Sequence, residues 1–267
     1  MSPSTWPPGP DAPLQLERDG GVATLCFNRP HALNAVDVPM AQALLNAVQA
    51  LVADRSVRAV VLCGAGPAFM AGGDLATLRA DPLQGAADLL GPLNAALMVL
   101  AAMDAPLIAQ VHGVAAGAGL SLMLQADFVF AAEGTRFNLA YVNLGTSCDV
   151  GASWALPRLV GLRRALEIAM LGETLTSADA ERLGLVNRVL AASELEAEVS
   201  AFAQRLALGP TVALGRLRRL MRASFERDLP TQLAAETAAF AECAETEDFK
   251  AGIEAFFTKK PAQFMGR

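Results

Sequence analysis

From residue 14 onward the hydrophobic positions form short blocks whose period alternates between two residues and three to four. "LQLERDGGVATLCFNRP" holds two stretches of strand character around Asp19-Gly20-Gly21, where glycine accepts the positive φ of a tight turn, and this predicts a hairpin. In "DVPMAQALLNAVQALVA", Met40, Leu44, Val48 and Leu51 recur at helical spacing, which predicts an amphipathic helix with Asp37 as N-cap and Pro39 in the first turn. "VRAVVLCG" is short, β-branched and closed by glycine, the pattern of a buried strand. A helical run from about Leu83 to Met103 leads through Pro106 to the strand "LIAQV", a glycine-rich segment and another strand at "FVFAA". Strand and helix alternate, which implies an α/β layered core of parallel strands joined by right-handed crossovers. After Val186 to Val189 the strand signals stop, and about Ser193 to Phe257 reads as helices broken at Gly209-Pro210 and Pro230.

Composition narrows the chemistry. The 267 residues are 53% hydrophobic and 18% charged, enough apolar material for a packed core. A net charge of −6 with scattered lysines and arginines offers no basic face, so no nucleic acid is expected as partner. The four cysteines are widely spaced and only His31 and His112 could join them, so no metal site is expected. Free thiols in a reducing compartment fit that pattern. "MSPSTWPPGPDAP" lacks the basic flank and apolar centre of a signal peptide and reads as a flexible Pro-rich tail over residues 1–13. No apolar run reaches the roughly 18 residues that span a bilayer, so the expectation is a soluble, cytoplasmic protein with no membrane partner.

Two segments, "VVLCGAGPAFMAGGDL" and "LIAQVHGVAAGAGLSL", repeat one pattern of apolar strand, small residues and helix start. Small residues let a ligand approach the main chain, and the first N–H groups of a helix are unpaired and dipole-positive. Dinucleotide spacing fails, because Phe69 and Leu122 stand where the third glycine belongs, and no glycine precedes Lys-Ser or Lys-Thr as in a phosphate loop. What remains is a pair of backbone donors for a developing oxyanion, a device suited to the enolate of a thioester.

Five stretches in order, "NRPHALNAV", "AFMAGGDL", "VHGVAAGAGLSLMLQAD", "RFNLAYVNLGTSCDVGASWALPRLVG" and "LTSADAERLGLVNRVL", resemble the enoyl-CoA hydratase/isomerase (crotonase) superfamily. The resemblance implies a crotonase-like spiral of ββα repeats over residues 14–200, a C-terminal helical trimerisation region over 201–267, and assembly as a homotrimer or a hexamer. It implies an acyl-CoA thioester as substrate, with no metal or redox cofactor. Carried over residue by residue, it puts the oxyanion amides on Ala71 and Ala118. It puts coenzyme A beside His31, Ala32 and Leu33 and along Ala71, Gly72, Gly73, Asp74 and Leu75, with Gly117 in the second turn. The acyl pocket is expected between Asp81 and Met103.

The two glutamates of the family's hydratases fall on Ser121 and Tyr141, neither of which is a carboxylate. Tyr141 is then a candidate to line the acyl pocket or orient a substrate oxygen. The remaining carboxylate is Asp149, which stands where the dienoyl-CoA isomerases, the chlorobenzoyl-CoA dehalogenases and the ring-1,2-epoxyphenylacetyl-CoA isomerases carry their acid/base. The last type, from phenylacetate degradation, is most similar. Cys148, Val150, Ala152 and Trp154 give Asp149 apolar neighbours in sequence, and burial raises a carboxyl toward neutrality. Asp149 and Asp74 are each also well placed as helix N-caps, a structural role worth about 1 kcal/mol. An acyl-CoA isomerase with one shuttling aspartate is the leading expectation. A hydratase with rearranged acid/base residues, a dehalogenase-like enzyme and a non-catalytic acyl-CoA binder stay open.

Overall fold

The computed structural model describes residues 11–267. Most of the proposed tail, residues 1–10, lies outside them. Ala12 and Pro13 are tied down, because Asn28 donates its side-chain amide to the Ala12 carbonyl (3.0 Å) and its main-chain N–H to that of Pro13 (2.8 Å).

The hairpin forms where the sequence predicts it. Strands β1 (Leu14–Asp19) and β2 (Val22–Phe27) pair antiparallel across Gly20, whose φ is +56°. Helix α1 (Val38–Ala53) starts at Asp37, whose carboxylate accepts from Met40 N at 2.9 Å, with Pro39 in the first turn, where no N–H is needed. Strand β3 (Ala59–Gly64) lies parallel to β2. It is followed by α2 (Leu75–Ala80), α3 (Pro82–Ala102) and strand β4 (Leu107–Val111). A short strand β5 (Val114–Ala116) hides in the glycine-rich stretch before α4 (Ala118–Met123). The core continues with β6 (Phe128–Ala132), β7 (Arg136–Asn138), α5 (Ala152–Val160), α6 (Leu162–Leu171), β8 (Leu175–Thr176), α7 (Ser177–Arg182) and β9 (Arg188–Leu190). Helices α8 (Leu195–Ala207), α9 (Thr211–Ala223), α10 (Leu229–Ala244) and α11 (Glu247–Thr258) complete the C-terminal region.

The strands form a sheet of order β1-β2-β3-β4-β6-β9, parallel beyond the first hairpin, and a small sheet of order β5-β7-β8. Both faces of the large sheet are covered at its centre, which is why β3, β4 and β6 read as nearly unbroken apolar runs, whereas the edge strand β1 is polar and exposed toward Asp19. Ala23, Leu25, Phe27, Val60 and Leu62 pack toward α1 and α3, while Val22, Ala59, Val61 and Ile108 pack against Leu195, Val199 and Ala203 of α8. A boundary after residue 200 therefore falls inside a helix that covers the sheet.

Two expectations need correction. Pro230 does not break a helix: it sits in the first turn of α10, where its missing N–H is harmless, and the break comes before Asp228, whose carboxylate caps Thr231 N at 3.0 Å. Helix α3 is long and apolar enough to cross a membrane, although no such run was expected. Its apolar character has another use here, since Leu89, Leu93, Ala96 and Leu100 enter the core.

The C-terminal region is bolted to the sheet by a buried charge cluster. Arg218 of α9 donates to the carbonyls of Leu100 (2.5 Å), Met103 (2.8 Å) and Ala105 (3.3 Å), satisfying the open end of α3. Asp127 pairs with Arg218 and Arg222, each at 2.8 Å, and accepts from Leu107 N at 2.8 Å. Removing one partner of a buried pair strands the other, so Asp127→Ala is expected to destabilise the chain by about 3–5 kcal/mol in denaturant unfolding. A loss below about 1 kcal/mol would show that the cluster is not a fastening.

Candidate active site

The first glycine-rich turn is held from both sides. Asn34, fully buried, donates from Nδ2 to the carbonyls of Ala65 (2.9 Å) and Ala68 (2.7 Å) and accepts from Arg29 N (2.8 Å). The Arg29 guanidinium spans Asp37 (3.2 Å) and Asp74 (3.0 Å), joining the N-caps of α1 and α2. On the other flank Met70 N donates to Val114 O (3.0 Å) and Ala116 N to Met70 O (2.9 Å), which ties the first turn to the second. A side chain on Gly119 would begin 2.2 Å from the Met70 carbonyl, so only glycine permits this approach.

That framework decides which amides are free, and it corrects one expectation. Ala71 N donates to the Leu33 carbonyl at 3.0 Å, so it is not available to a ligand. Gly72, at φ +114°, then redirects the chain. Val36 bonds to Gly72 O and Asp74 N, both at 2.8 Å, as in a parallel bridge to Gly73. In such a bridge the middle residue's own N–H faces the opposite side, here toward the second turn. Gly73 N and Ala118 N, the latter opening α4, have no acceptor among the described residues. The two turns nearly touch: a Cβ built on Gly117 would lie 3.5 Å from Gly72 Cα.

Asp149 is not a helix cap. α5 begins at Ala152 after Gly151, and only the Asp149 carbonyl accepts from Ala152 N (3.0 Å). Its carboxylate Oδ1 instead accepts from the Tyr141 hydroxyl, and Oδ2 has no partner among the described residues. Tyr141 is 2.9 Å from Ser121 Oγ, which is 3.1 Å from the Gly117 carbonyl, so a chain of hydroxyls links the carboxylate to the second turn. Burial pushes the Asp149 carboxyl above its usual range, partly opposed by the Tyr141 bond. Burial and the adjacent Asp149 charge drive the Tyr141 phenol well above its usual value, so it stays a neutral donor.

Backbone geometry holds this pair in place. Tyr141 starts a 3₁₀ turn after Ala140, whose N–H donates to Asn138 Oδ1 (2.6 Å) while Asn138 Nδ2 reaches the Gly172 carbonyl (3.0 Å). Val150, next to the carboxylate in the chain, sits at φ +49°, a costly conformation for a β-branched residue. Trp154, expected beside Asp149, lies elsewhere. It lines a separate groove with Phe225 and donates to Glu226 (3.2 Å).

These groups face a cavity of about 770 Å³. Ala71, Gly72, Gly73, Leu75, Gly117, Ala118, Tyr141 and Asp149 line it, and Leu89, Leu90 and Leu93 of α3 form an apolar wall in the segment expected for the acyl group. Asp149 is the one carboxylate among the described lining residues. His31, Ala32, Leu33 and Asp74 are not part of the lining. His31 and Ala32 lie in a 3₁₀ turn, and Leu33 supports Ala71 through its carbonyl. Asp74 caps α2 at Ala76 N (3.0 Å) and pairs with Arg29. His112 bonds through Nε2 to the Gly66 carbonyl (2.8 Å), a structural tie. Residue-type patterns did not single out Asn34, Arg29 or Asn138, because their roles consist of hydrogen bonds to carbonyls and caps distant in sequence.

A family model described as enoyl-CoA hydratase/isomerase matches residues 17–267. The 1,2-epoxyphenylacetyl-CoA isomerase of Escherichia coli is 35% identical, over 92% of this chain and 96% of its own. A probable enoyl-CoA hydratase of Rhodobacter capsulatus is 34% identical, over 95% of this chain and 98% of its own. The crystal structure of an enoyl-CoA hydratase from Mycobacterium smegmatis superposes with a TM-score of 0.88 at 35% identity, covering 94% of this chain and 98% of that one.

The Asp149 environment has a consequence for stability. The folded chain holds that proton more tightly than the unfolded chain, so ionising Asp149 costs stability as pH rises from the ordinary carboxylate range through the raised value. Asp149→Asn removes that cost. Its stability relative to the parent, from denaturant midpoints, is expected to rise with pH above about 4 and then level off. A parent that gains on the variant over that interval contradicts the burial argument.

Proposed function

Because this chain belongs to the enoyl-CoA hydratase/isomerase family of acyl-CoA enzymes, we propose that it is an acyl-CoA isomerase that moves a proton with Asp149. The observation that carries this reading is the lone carboxylate in the cavity, with Oδ1 held by Tyr141 and Oδ2 open to a substrate. In the proposed reaction the thioester carbonyl oxygen accepts from Gly73 N–H and Ala118 N–H. Asp149 takes a proton from an activated carbon, and the electrons move onto that oxygen as an enolate. Asp149 then returns the proton to another carbon on the same face, shifting a double bond or opening a strained ring. Each amide is asked to supply roughly 3–4 kcal/mol, the worth of one oxyanion donor in a site closed to water. No group outside the chain and the acyl-CoA takes part.

The isomerase named among the relatives supports this reading, and the hydratase names favour a second one. Hydration needs one group to activate water and another to deliver the α-proton. In this chain the two hydroxyls at the family's glutamate positions, Ser121 and Tyr141, bond to each other, which supports proton shuttling over hydration. Self-assembly is part of the proposal, supported by the exposed Phe225, Leu229, Phe240 and Phe256 of the C-terminal region.

A panel of unsaturated acyl-CoAs in deuterated water separates the readings. The isomerase yields a product of unchanged elemental composition with its bond shifted, carrying deuterium only where Asp149 exchanges its proton with solvent before returning it, whereas the hydratase yields a product heavier by one heavy water. Asp149→Asn is expected to lower turnover by about 10²–10⁴-fold while CoA-ester binding persists, and unchanged turnover removes Asp149 from the mechanism. Ala118→Pro deletes one donor at the first helical position, where proline is tolerated. Turnover is expected to fall about 10²–10³-fold with α4 retained by circular dichroism, and full activity would reject Ala118 as a donor.

A further inference from the structure

Away from the cavity, two of the four cysteines face each other. Cys26 and Cys63 are direct partners in the register of parallel strands β2 and β3. Side chains alternate along a strand, so both share the face of Val22 and Ala59, the face that α8 covers. A Cβ built on Gly21, before β2, would lie 3.3 Å from Ala207 Cβ, so the C-terminal end of α8 overlies the start of the strands. Its first turn, with Glu196, lies toward the cysteine end, and Glu17 of β1 is the other nearby charge. Neighbouring strands run about 4.8 Å apart, inside the roughly 4.4–6.8 Å between Cα atoms that a disulfide spans.

We propose that Cys26 and Cys63 form a redox-active dithiol that closes into a reversible intrachain disulfide when the protein meets a peroxide. The two thiols stand opposite each other on one face of the sheet, free and half-buried, with Cys26 Sγ 3.9 Å from the Phe27 carbonyl. The facing Cys63 thiol holds the Cys26 thiol below its ordinary value against the opposing effect of burial, and Cys26, together with burial, drives Cys63 up. Cys26 is thus the attacking sulfur and Cys63 the resolving one.

The chemistry balances with hydrogen peroxide as oxidant. The Cys26 thiolate attacks one peroxide oxygen, the O–O bond breaks, hydroxide leaves, and Cys26 becomes a sulfenic acid. Cys63 sulfur then attacks Cys26 sulfur, the S–O bond breaks and a second hydroxide leaves as the S–S bond forms. The two thiol protons convert the hydroxides to water, and two electrons pass from the sulfur pair to the peroxide. Among the described residues no group of three or more His, Cys, Asp or Glu is placed to hold a metal, so these thiols are not claimed by a metal site. The residues that follow the two cysteines are Arg29, which clamps Asp37 and Asp74, and the Gly64 to Asp74 segment. The pair therefore sits at the root of the loops that build the cavity.

Exposure of the full chain to hydrogen peroxide, alkylation with N-ethylmaleimide and non-reducing peptide mass spectrometry test this directly. The expected result is a linked peptide carrying Cys26 and Cys63, short of two hydrogens and lost on dithiothreitol treatment, while Cys148 and Cys243 are alkylated. In Cys63→Ser the link is expected to vanish, with Cys26 trapped by dimedone as its sulfenic acid. The proposal is overturned if both cysteines remain alkylated after peroxide. It is also overturned if they oxidise separately to sulfinic acids, or if mixed isotope-labelled protein places the link between two molecules. None of these outcomes depends on which acyl-CoA reaction the cavity carries.

Discussion

A peptide N–H can stay unpaired in the interior of a protein only if every other bond around it is committed, since otherwise the backbone relaxes to satisfy it. Two N–H groups with no acceptor among the described residues, on Gly73 and Ala118, line the cavity of this molecule. Met70 uses both its backbone groups on β5, Gly72 and Asp74 use theirs on Val36, and Ala71 spends its own on Leu33. Because these bonds leave no slack, the directions of the two remaining N–H groups are fixed by the fold itself. That is the condition under which backbone dipoles stabilise a developing charge without reorganising.

The parallel sheet explains how the donors come together. β3 and β4 run side by side, so the segments leaving their carboxyl ends, one toward Gly73 and the other toward Ala118, emerge next to each other. Binding sites collect at that edge of parallel sheets because the loops there converge. The glycines are what let the backbones meet without side chains between them, most plainly at Gly119 against the Met70 carbonyl.

Asp149 reaches the same place from a separate loop, and its setting is electrostatic rather than covalent. Partial burial favours the protonated form, the Tyr141 hydroxyl favours the ionised one, and a group balanced between the two can both take and release a proton. The Tyr141 hydroxyl holds one carboxylate oxygen, and the strained Val150 beside it is backbone that only the surrounding fold keeps in place.

Local pattern sufficed wherever a feature depends on residues close in sequence. The β1–β2 turn, the Asp37 and Asp74 caps and the small-residue segments that approach each other all follow from residue type and spacing. Resemblance to family motifs supplied Ala118 and Asp149 as candidates, and both line the cavity. Only the tertiary structure decided how hydrogen bonds are distributed among groups far apart in the chain. It gave the Ala71 amide to Leu33 and left Gly73 free, and it took Asp149 from a capping role and set it against Tyr141. It likewise turned Trp154 toward Glu226. Composition and period govern which faces are buried, because burial is a property of each residue. The partner a polar group finds is fixed by which backbone lies opposite it once the sheets have closed.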